Sequence, residues 1–224
     1  VHLKYLTHLI DDTRWPTIVP KYCNGSRQSP INIVSANAET NDKLTEFTFY
    51  NYSSTTALKS IQNTGKTVKV SFDSGVKVSG GDLSETYDSL QFHLHWGNGS
   101  SVPGSEHTVD GKQYPMEVTW FNLSAKSSRD FQRTQQDCNW FIVLVFLLDL
   151  PLQYDRVLQH RQISYMSQST SVNMAPGLTL DALLEGVDRT KYYRYLGSLT
   201  TPDCNEAVVW TVFKDSIKVS KDLV

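Results

Sequence analysis

The apolar residues of this chain come in short runs that are typical of β-strands, and none of the runs has the length of a long amphipathic helix. Runs of about four to eight residues that are rich in β-branched and aromatic side chains predict strands. The six predicted strands are Phe47–Tyr50, Thr67–Phe72, Gln91–Trp96, Met116–Phe121, Phe141–Leu148 and Ala207–Phe213. Glycine-containing pairs, Gly80-Gly81 and Asn98-Gly99, predict turns between strands.

Helical signals are few. Pro151 precedes one candidate helix, Gln153–Arg161, and Thr179 is placed to cap a second, Leu180–Gly186. No internal repeat, linker or low-complexity segment divides the chain. We therefore expect residues 1–224 to form a single domain.

The run Gln91-Phe92-His93-Leu94-His95-Trp96-Gly97 carries the clearest chemical signal. On a strand, alternate side chains share a face, so His93 and His95 project together while Leu94 points away. Two imidazoles on one rigid face form half of a zinc site. A pair of hydrogen-bonded core histidines is the alternative that these two residues alone leave open.

The sequence around the two histidines resembles the alpha-type carbonic anhydrase family. Matching segments follow one another in the family's order and spacing. They are Arg27-Gln28-Ser29-Pro30-Ile31-Asn32-Ile33, the Gln91–Gly97 run, Gly104-Ser105-Glu106-His107, Ser198-Leu199-Thr200-Thr201-Pro202 and Cys204–Phe213.

The resemblance implies an α+β fold that is mostly β, with a large central, mostly antiparallel twisted sheet and short peripheral helices. A deep cavity reaching the sheet would hold the two histidines at its base. The chain ends at Val224, so we expect the C-terminal segment that family members thread against the sheet to be absent from this domain.

The family binds zinc through three histidines, and the resemblance places two of them at His93 and His95. Glu117 matches the carboxylate that orients the third histidine, which should follow two residues later, but this chain has Thr119 there. A neutral hydroxyl is a poor zinc ligand compared with imidazole, thiolate or carboxylate. We therefore expect no zinc, or weakly bound zinc, at this position.

Two further positions depart from the family pattern. Phe121 stands where family members usually carry a small aliphatic residue beside the carbon dioxide pocket, and a phenyl ring would fill that volume. Lys66 stands at the position of a proton-shuttling histidine. An exposed lysine keeps its charge at neutral pH and cannot relay protons efficiently.

Other positions match the family. Gln91 resembles the hydrogen-bond acceptor of one metal-binding histidine, and Glu106 with Thr200 resembles the pair that orients zinc-bound hydroxide. The residues that resemble the apolar pocket wall are Val143, Leu199 and Trp210. All of these groups would also stabilise the fold without a metal. We further expect Thr119 to donate its hydroxyl to Glu117.

Net charge, apolar run lengths and sequons indicate which binding partners and which cellular location are compatible with this chain. A net charge of −2 argues against nucleic-acid binding, and no apolar run is long enough to span a bilayer. Asn-x-Ser sequons suggest a secreted glycoprotein. They begin at Asn24, Asn51, Asn98 and Asn122.

The cysteine positions also favour an extracellular location. By the resemblance, Cys23 and Cys204 match the disulfide pair of extracellular and membrane-anchored family members. We therefore expect a secreted protein, or one on the extracellular face of the plasma membrane whose membrane anchor, if any, lies outside these 224 residues. Cys138 is left over, and it would pair with a second copy or another protein if exposed, or stay an inert thiol if buried.

Three functions are compatible with these observations. The first is a catalytically silent carbonic anhydrase-related protein that binds an unknown small molecule or protein through its remodelled cavity or surface. The second is an active zinc enzyme, a lyase that hydrates carbon dioxide to bicarbonate. The third is a structural or adhesive secreted glycoprotein. We favour the first because the ligand, pocket and shuttle positions all depart from the family.

Overall fold

A computed structural model of the chain describes residues 15–19, 23–98, 102–124, 141–149, 170–201 and 204–218. The predicted helix Gln153–Arg161 and the thiol of Cys138 lie outside the described residues.

Strands are the main regular structure of the described residues. The helices are single turns, α1 (Trp15–Ile18) and α2 (Leu180–Leu183), together with a 3-10 turn at Ser35–Asn37. The strands are β1 (Asn32–Ile33), β2 (Phe47–Tyr50), β3 (Leu58–Asn63), β4 (Val68–Phe72), β5 (Lys77–Gly80), β6 (Tyr87–Trp96), β7 (Thr108–Val109), β8 (Lys112–Gln113), β9 (Met116–Ser124), β10 (Phe141–Asp149), β11 (Ser171–Asn173), β12 (Tyr192–Gly197), β13 (Val208–Phe213) and β14 (Ile217–Lys218).

One large sheet forms the body of the described protein. Its strands follow the order β11-β3-β4-β6-β9-β10-β13-β12, with β14 beside β10 and the β2–β5 pair beside β6. Pairing in it is antiparallel except where β10 runs parallel to β13 and β14. Strands β1, β7 and β8 form a second, small sheet. The predicted large, mostly antiparallel sheet is therefore confirmed.

All six predicted strands are present, and the differences lie at their ends. Strand β6 begins at Tyr87 rather than Gln91, and β9 continues to Ser124. Strands β3 and β12 were not predicted, because their sequences Leu-Lys-Ser-Ile-Gln-Asn and Tyr-Tyr-Arg-Tyr-Leu-Gly lack a regular apolar alternation. Helix α2 begins as predicted, with the side chain of Thr179 accepting from the backbone N–H of Ala182.

Apolar side chains cover both faces of the sheet. The larger cluster includes Phe92, Trp120 and Phe146, and the smaller one includes Val145 and Trp210. Alternate residues of β10 enter opposite clusters, so this strand is buried on both sides. That double burial explains its unbroken apolar sequence.

The disulfide bond between Cys23 and Cys204 is formed, as the family resemblance implied. Both cysteines are buried, and their Cα atoms lie 5.0 Å apart. The bond joins residues 181 positions apart in the chain and fixes the segment before β13 to the N-terminal region. None of the described helices has the length and apolar character needed to cross a bilayer.

An open groove of about 700 Å³ lies at the β12 edge of the sheet, between β12 and residues 31–44. Its lining is mainly polar and includes Tyr193, Arg194 and Lys214. The groove does not include either histidine of β6.

The four sequon asparagines differ in exposure. Asn24, Asn51 and Asn98 are exposed. Asn122 is fully buried, and its amide nitrogen lies within hydrogen-bond distance of the carbonyl oxygens of Trp120 and Ile142. A glycan at Asn122 would need this end of β9 to be open to solvent, and the buried amide does not meet that condition.

The disulfide should contribute strongly to stability. In the chain-entropy description, a closed loop of this length stabilises the folded state by about 5 kcal/mol. We expect the double variant Cys23→Ser/Cys204→Ser, and the reduced wild-type protein, to lose this amount in urea denaturation. Two free thiols at these positions in unreduced protein, detected by mass spectrometry, would contradict the bond.

The exposure differences predict which sequons carry glycans. For protein made in a secretory pathway, Asn24→Gln, Asn51→Gln and Asn98→Gln should each reduce the mass that an N-glycosidase removes. Asn122→Gln is the matched control, and it should leave that mass unchanged. A glycopeptide that contains modified Asn122 would contradict the observed burial.

Candidate metal and ligand site

Residues from three adjacent strands form a row on one face of the sheet. Lys69 of β4 pairs in register with His93 of β6, and His93 pairs with Thr119 of β9. Side chains that are directly opposite lie on the same face, with Cβ atoms about 4.5–5.5 Å apart. His95 adds a second imidazole, with its ring centroid 5.0 Å from that of His93. The two histidines and Thr119 therefore meet as the sequence predicted.

Gln91 fixes the ring of His93. The Nδ1 atom of His93 lies 3.1 Å from Oε1 of Gln91, and an amide oxygen can only accept, so Nδ1 carries the hydrogen and Nε2 presents a lone pair. Burial and the neighbouring charges of His95 and Lys69 lower the pKa of His93 to about 4, against the opposing charge of Glu117. The His93 ring is therefore neutral at pH 7.

The second imidazole, His95, faces a carboxylate. Its Nδ1 atom lies 3.4 Å from Oε1 of Glu106. Burial lowers the pKa of His95, although the charge of Glu117 opposes the shift. With Nδ1–H directed at Glu106, the lone pair lies on Nε2, which is buried without a hydrogen-bond partner among the described residues.

Close backbone packing brings Glu106 to this place. A Cβ atom on Gly104 would lie 2.0 Å from the backbone of Trp96 and Gly97. Glycine therefore lets the segment before Glu106 pass directly against the end of β6. The Thr200 hydroxyl then donates to Oε2 of Glu106 at 2.8 Å, which gives the Glu–Thr pair that the family resemblance implied.

Beneath the row, the carboxylate of Glu117 is completely buried. It accepts the backbone N–H groups of Glu106 and His107 at 3.0 and 2.8 Å, and Nδ1 of His107 lies 3.1 Å from its Oε1. Burial raises the pKa of Glu117, but the hydrogen bonds and charge of His107 outweigh burial and hold it below 4.5. The predicted contact from Thr119 is present but long, at 3.5 Å, so His107 is the main side-chain partner.

The hydrogen-bonded network continues to the N-terminal part of the domain. The Nε2 atom of His107 lies 2.7 Å from the hydroxyl oxygen of Tyr195, which lies 3.0 Å from Oγ of Ser29. The backbone N–H groups of Ser29 and Ser198 each donate to the other residue's hydroxyl oxygen, at 2.9 and 3.0 Å. Burial is the main cause that raises the pKa of Tyr195.

The residues predicted to form the apolar wall of the site lie in one apolar cluster. Phe121 is opposite Gln91 in register, and its ring packs against Phe141 at a centroid distance of 5.0 Å. The predicted wall residues Val143, Leu199 and Trp210 belong to the same apolar cluster as Phe121. The phenyl ring therefore lies immediately beside the histidine row.

The donors present do not fit a catalytic zinc ion with three protein ligands. His93 and His95 offer two imidazole nitrogens, and the third position holds only the hydroxyl of Thr119. Within the described ranges, no group of three or more His, Cys, Asp or Glu side chains is placed to hold a metal ion. The Lys69 ammonium beside His93 would in addition repel a divalent cation.

Sequence reasoning missed two residues of the site, Lys69 and His107. Strand alternation could have found the lysine, because Val68 and Val70 are core residues and Lys69 must face the other way. The buried position of His107 has no local signal. Lys66, at the predicted shuttle position, lies exposed in the turn before β4.

Comparisons with known proteins show which family and which relatives this chain is similar to. The sequence profile of the eukaryotic-type carbonic anhydrase family matches residues 10–224. Carbonic anhydrase 4 of Mus musculus is 34% identical over 91% of this chain, and carbonic anhydrase 6 of Bos taurus is 34% identical over 97%. The chain spans 65% of the first relative and 68% of the second. It also matches 9% of the human receptor-type tyrosine-protein phosphatase zeta, at 29% identity.

Removing the buried carboxylate should destabilise the fold. Glu117→Ala leaves two backbone N–H groups and Nδ1 of His107 without their partner, and we expect a loss of about 3–5 kcal/mol in urea denaturation. Asp149→Ala, which removes partly exposed salt bridges to Lys112 and Lys218, is the control and should cost no more than about 1 kcal/mol.

The same carboxylate predicts a pH dependence. Because the folded-state pKa of Glu117 is lowered, its contribution is present above the unfolded-state pKa near 4.5 and is lost as pH falls through the folded-state value. The unfolding free energy of the wild type should therefore decrease more steeply than that of Glu117→Gln below about pH 4.5. Parallel curves for the two proteins would contradict this role.

Proposed function

The chain belongs to the eukaryotic-type carbonic anhydrase family, and within that family we propose that it is a catalytically silent, extracellular member that binds a ligand or partner through its remodelled site. The observation that carries the proposal is Thr119, which lies opposite His93 where the family pattern requires a third imidazole.

The electrostatics of the site support the loss of zinc. Neutral imidazoles are good zinc ligands, but this site offers only two of them, and its third position offers a neutral hydroxyl, which is a poor ligand. The two carboxylates near the histidines are already used, Glu106 by Thr200 and Glu117 by His107. A lysine in register with His93 adds a positive charge on the same face of the sheet, which opposes binding of a metal cation.

The second departure affects the substrate pocket. Phe121 packs with Phe141 and the aliphatic wall of the smaller cluster. Its ring takes space beside Gln91 and the histidine row that a small aliphatic side chain would leave free. Restoring a metal ligand alone would therefore not restore the room that carbon dioxide needs.

The active-enzyme alternative has two specific contacts in its favour. The Thr200–Glu106 hydrogen bond and the Gln91–His93 contact are both retained, at 2.8 and 3.1 Å. These contacts also stabilise the loop and strands that contain them, so they do not require catalysis. Metal content and activity separate the two candidates.

An extracellular location is part of the proposal. The buried Cys23–Cys204 disulfide supports it, because such bonds persist in oxidising compartments. Exposed sequons at Asn24, Asn51 and Asn98 are compatible with passage through a secretory pathway. The match to a small part of a receptor-type phosphatase supports a non-catalytic use of this domain, since that relative is named for another activity.

Metal analysis tests the silent-site proposal directly. Wild-type protein exposed to zinc and dialysed against a mild chelator should retain well below one zinc ion per chain. Thr119→His should raise the content to about one ion per chain, whereas Thr119→Ser, which keeps a hydroxyl, should not. Stoichiometric zinc and carbon dioxide hydration in the wild type would overturn the proposal.

The pocket argument has its own test. Thr119→His should bind zinc but hydrate carbon dioxide slowly, because Phe121 remains in place. Adding Phe121→Val should raise the hydration rate by about tenfold or more, a change that corresponds to about 1.4 kcal/mol in the activation barrier. Full activity of Thr119→His alone would show that the phenyl ring does not block the pocket.

A further inference from the structure

The side chain of Lys69 brings a positive charge to the site. Its neighbours Val68 and Val70 point into the larger apolar cluster or its rim and are buried, so the lysine side chain projects from the opposite face, over the histidine row. Register places it directly opposite His93.

This lysine forms no salt bridge with any residue in the described ranges. The site carboxylates have other partners: Glu106 accepts from Thr200, and Glu117 is buried under the row with His107. A half-buried ammonium without a counter-ion favours an anion from solution. The charge of the bound ligand is therefore expected to be negative at the Lys69 end.

The two histidines require a hydrogen-bond donor on the same ligand, in addition to its negative charge. Nδ1 of His93 donates to Gln91, and Nδ1 of His95 faces the Glu106 carboxylate. Both rings therefore direct an Nε2 lone pair away from these partners, and that of His95 is buried and unpaired among the described residues. A lone pair accepts a hydrogen bond, so the ligand needs an O–H or N–H donor here.

We propose that the row Lys69–His93–Thr119, with His95, binds a small hydroxycarboxylate. The ligand carboxylate bonds the Lys69 ammonium, and the ligand hydroxyl donates to an imidazole Nε2. Thr119 can donate to or accept from the same ligand. An amine in place of the hydroxyl is disfavoured, because its positive charge would lie beside that of Lys69.

The ligand chemistry follows from these two requirements together. A simple carboxylate satisfies Lys69 and leaves the buried imidazole lone pair unpaired. A neutral hydroxyl compound satisfies the lone pair and leaves the ammonium without a counter-ion. A molecule that carries both groups meets both requirements, and the spacing of about 4.8 Å between neighbouring strands favours a short one.

This inference rests on the proposed zinc-free site, and three probes test it. Glycolate carries both groups, acetate carries the carboxylate alone, and glycolamide carries the hydroxyl without the charge. Calorimetric titration of the wild-type protein should give tighter binding for glycolate than for acetate or glycolamide. Equal affinity for glycolate and acetate would overturn the role of the histidines.

Two lysine variants distinguish a direct contact between Lys69 and the ligand from a general effect of positive charge on the protein. Lys69→Gln should weaken glycolate binding by about ten- to hundredfold, the range for loss of a charged hydrogen bond, and should leave glycolamide binding nearly unchanged. Lys66→Gln makes the same charge change in the exposed turn before β4 and should leave glycolate affinity within about twofold. An equal loss in both variants would overturn a specific role of Lys69.

Zinc content measured on the same samples distinguishes this inference from the proposed function. Zinc-free protein that fails to bind glycolate overturns the hydroxycarboxylate site and leaves the silent-site proposal standing. Glycolate binding that requires bound zinc, and disappears after chelation, overturns both, because the anion would then be bound by the metal. Binding that is unaffected by chelation and lost in Lys69→Gln supports the inference.

Discussion

The structure around the site depends on one buried carboxylate, Glu117. A charge removed from water must be fully hydrogen-bonded, and here the backbone N–H groups of Glu106 and His107 and the His107 ring meet that requirement. The bonds hold the loop after β6 against β9. Through His107, Tyr195 and Ser29 the same network reaches β12 and the N-terminal segment. Because none of these bonds needs a metal ion, the histidine row keeps its geometry when the third imidazole is absent.

Sequence patterns were sufficient for the central strands and for most of the site. The continuous apolar run of β10 predicts burial on both faces, and alternation in β6 places His93 beside His95 on one face. Strands β3 and β12 escaped prediction because tertiary packing, rather than local alternation, makes them strands. The family resemblance was needed for the Cys23–Cys204 bond and for the Glu106–Thr200 pair, since contacts across such distances in the chain leave no local pattern.

The errors and omissions have physical causes as well. Asn122 satisfies a sequon, but a sequon is a local pattern and carries no information about the depth of a central strand. Lys69 was overlooked because a lysine on a strand usually faces solvent. The register with His93 places it on the face of the sheet that carries the two histidines. The positive charge at the histidine site therefore belongs to a side chain of the sheet, and it does not depend on a bound metal ion.

The parallel pairing of β10 with β13 has a consequence for how the protein folds. Phe141 of β10 pairs with Val208 of β13, so one edge of the most apolar strand stays open until nearly all of the described chain has been synthesised. Non-local pairing of this kind slows folding, and an exposed apolar strand edge is a template for aggregation. Successful production of this domain should therefore depend on chaperones that cover β10 until its partner strand emerges.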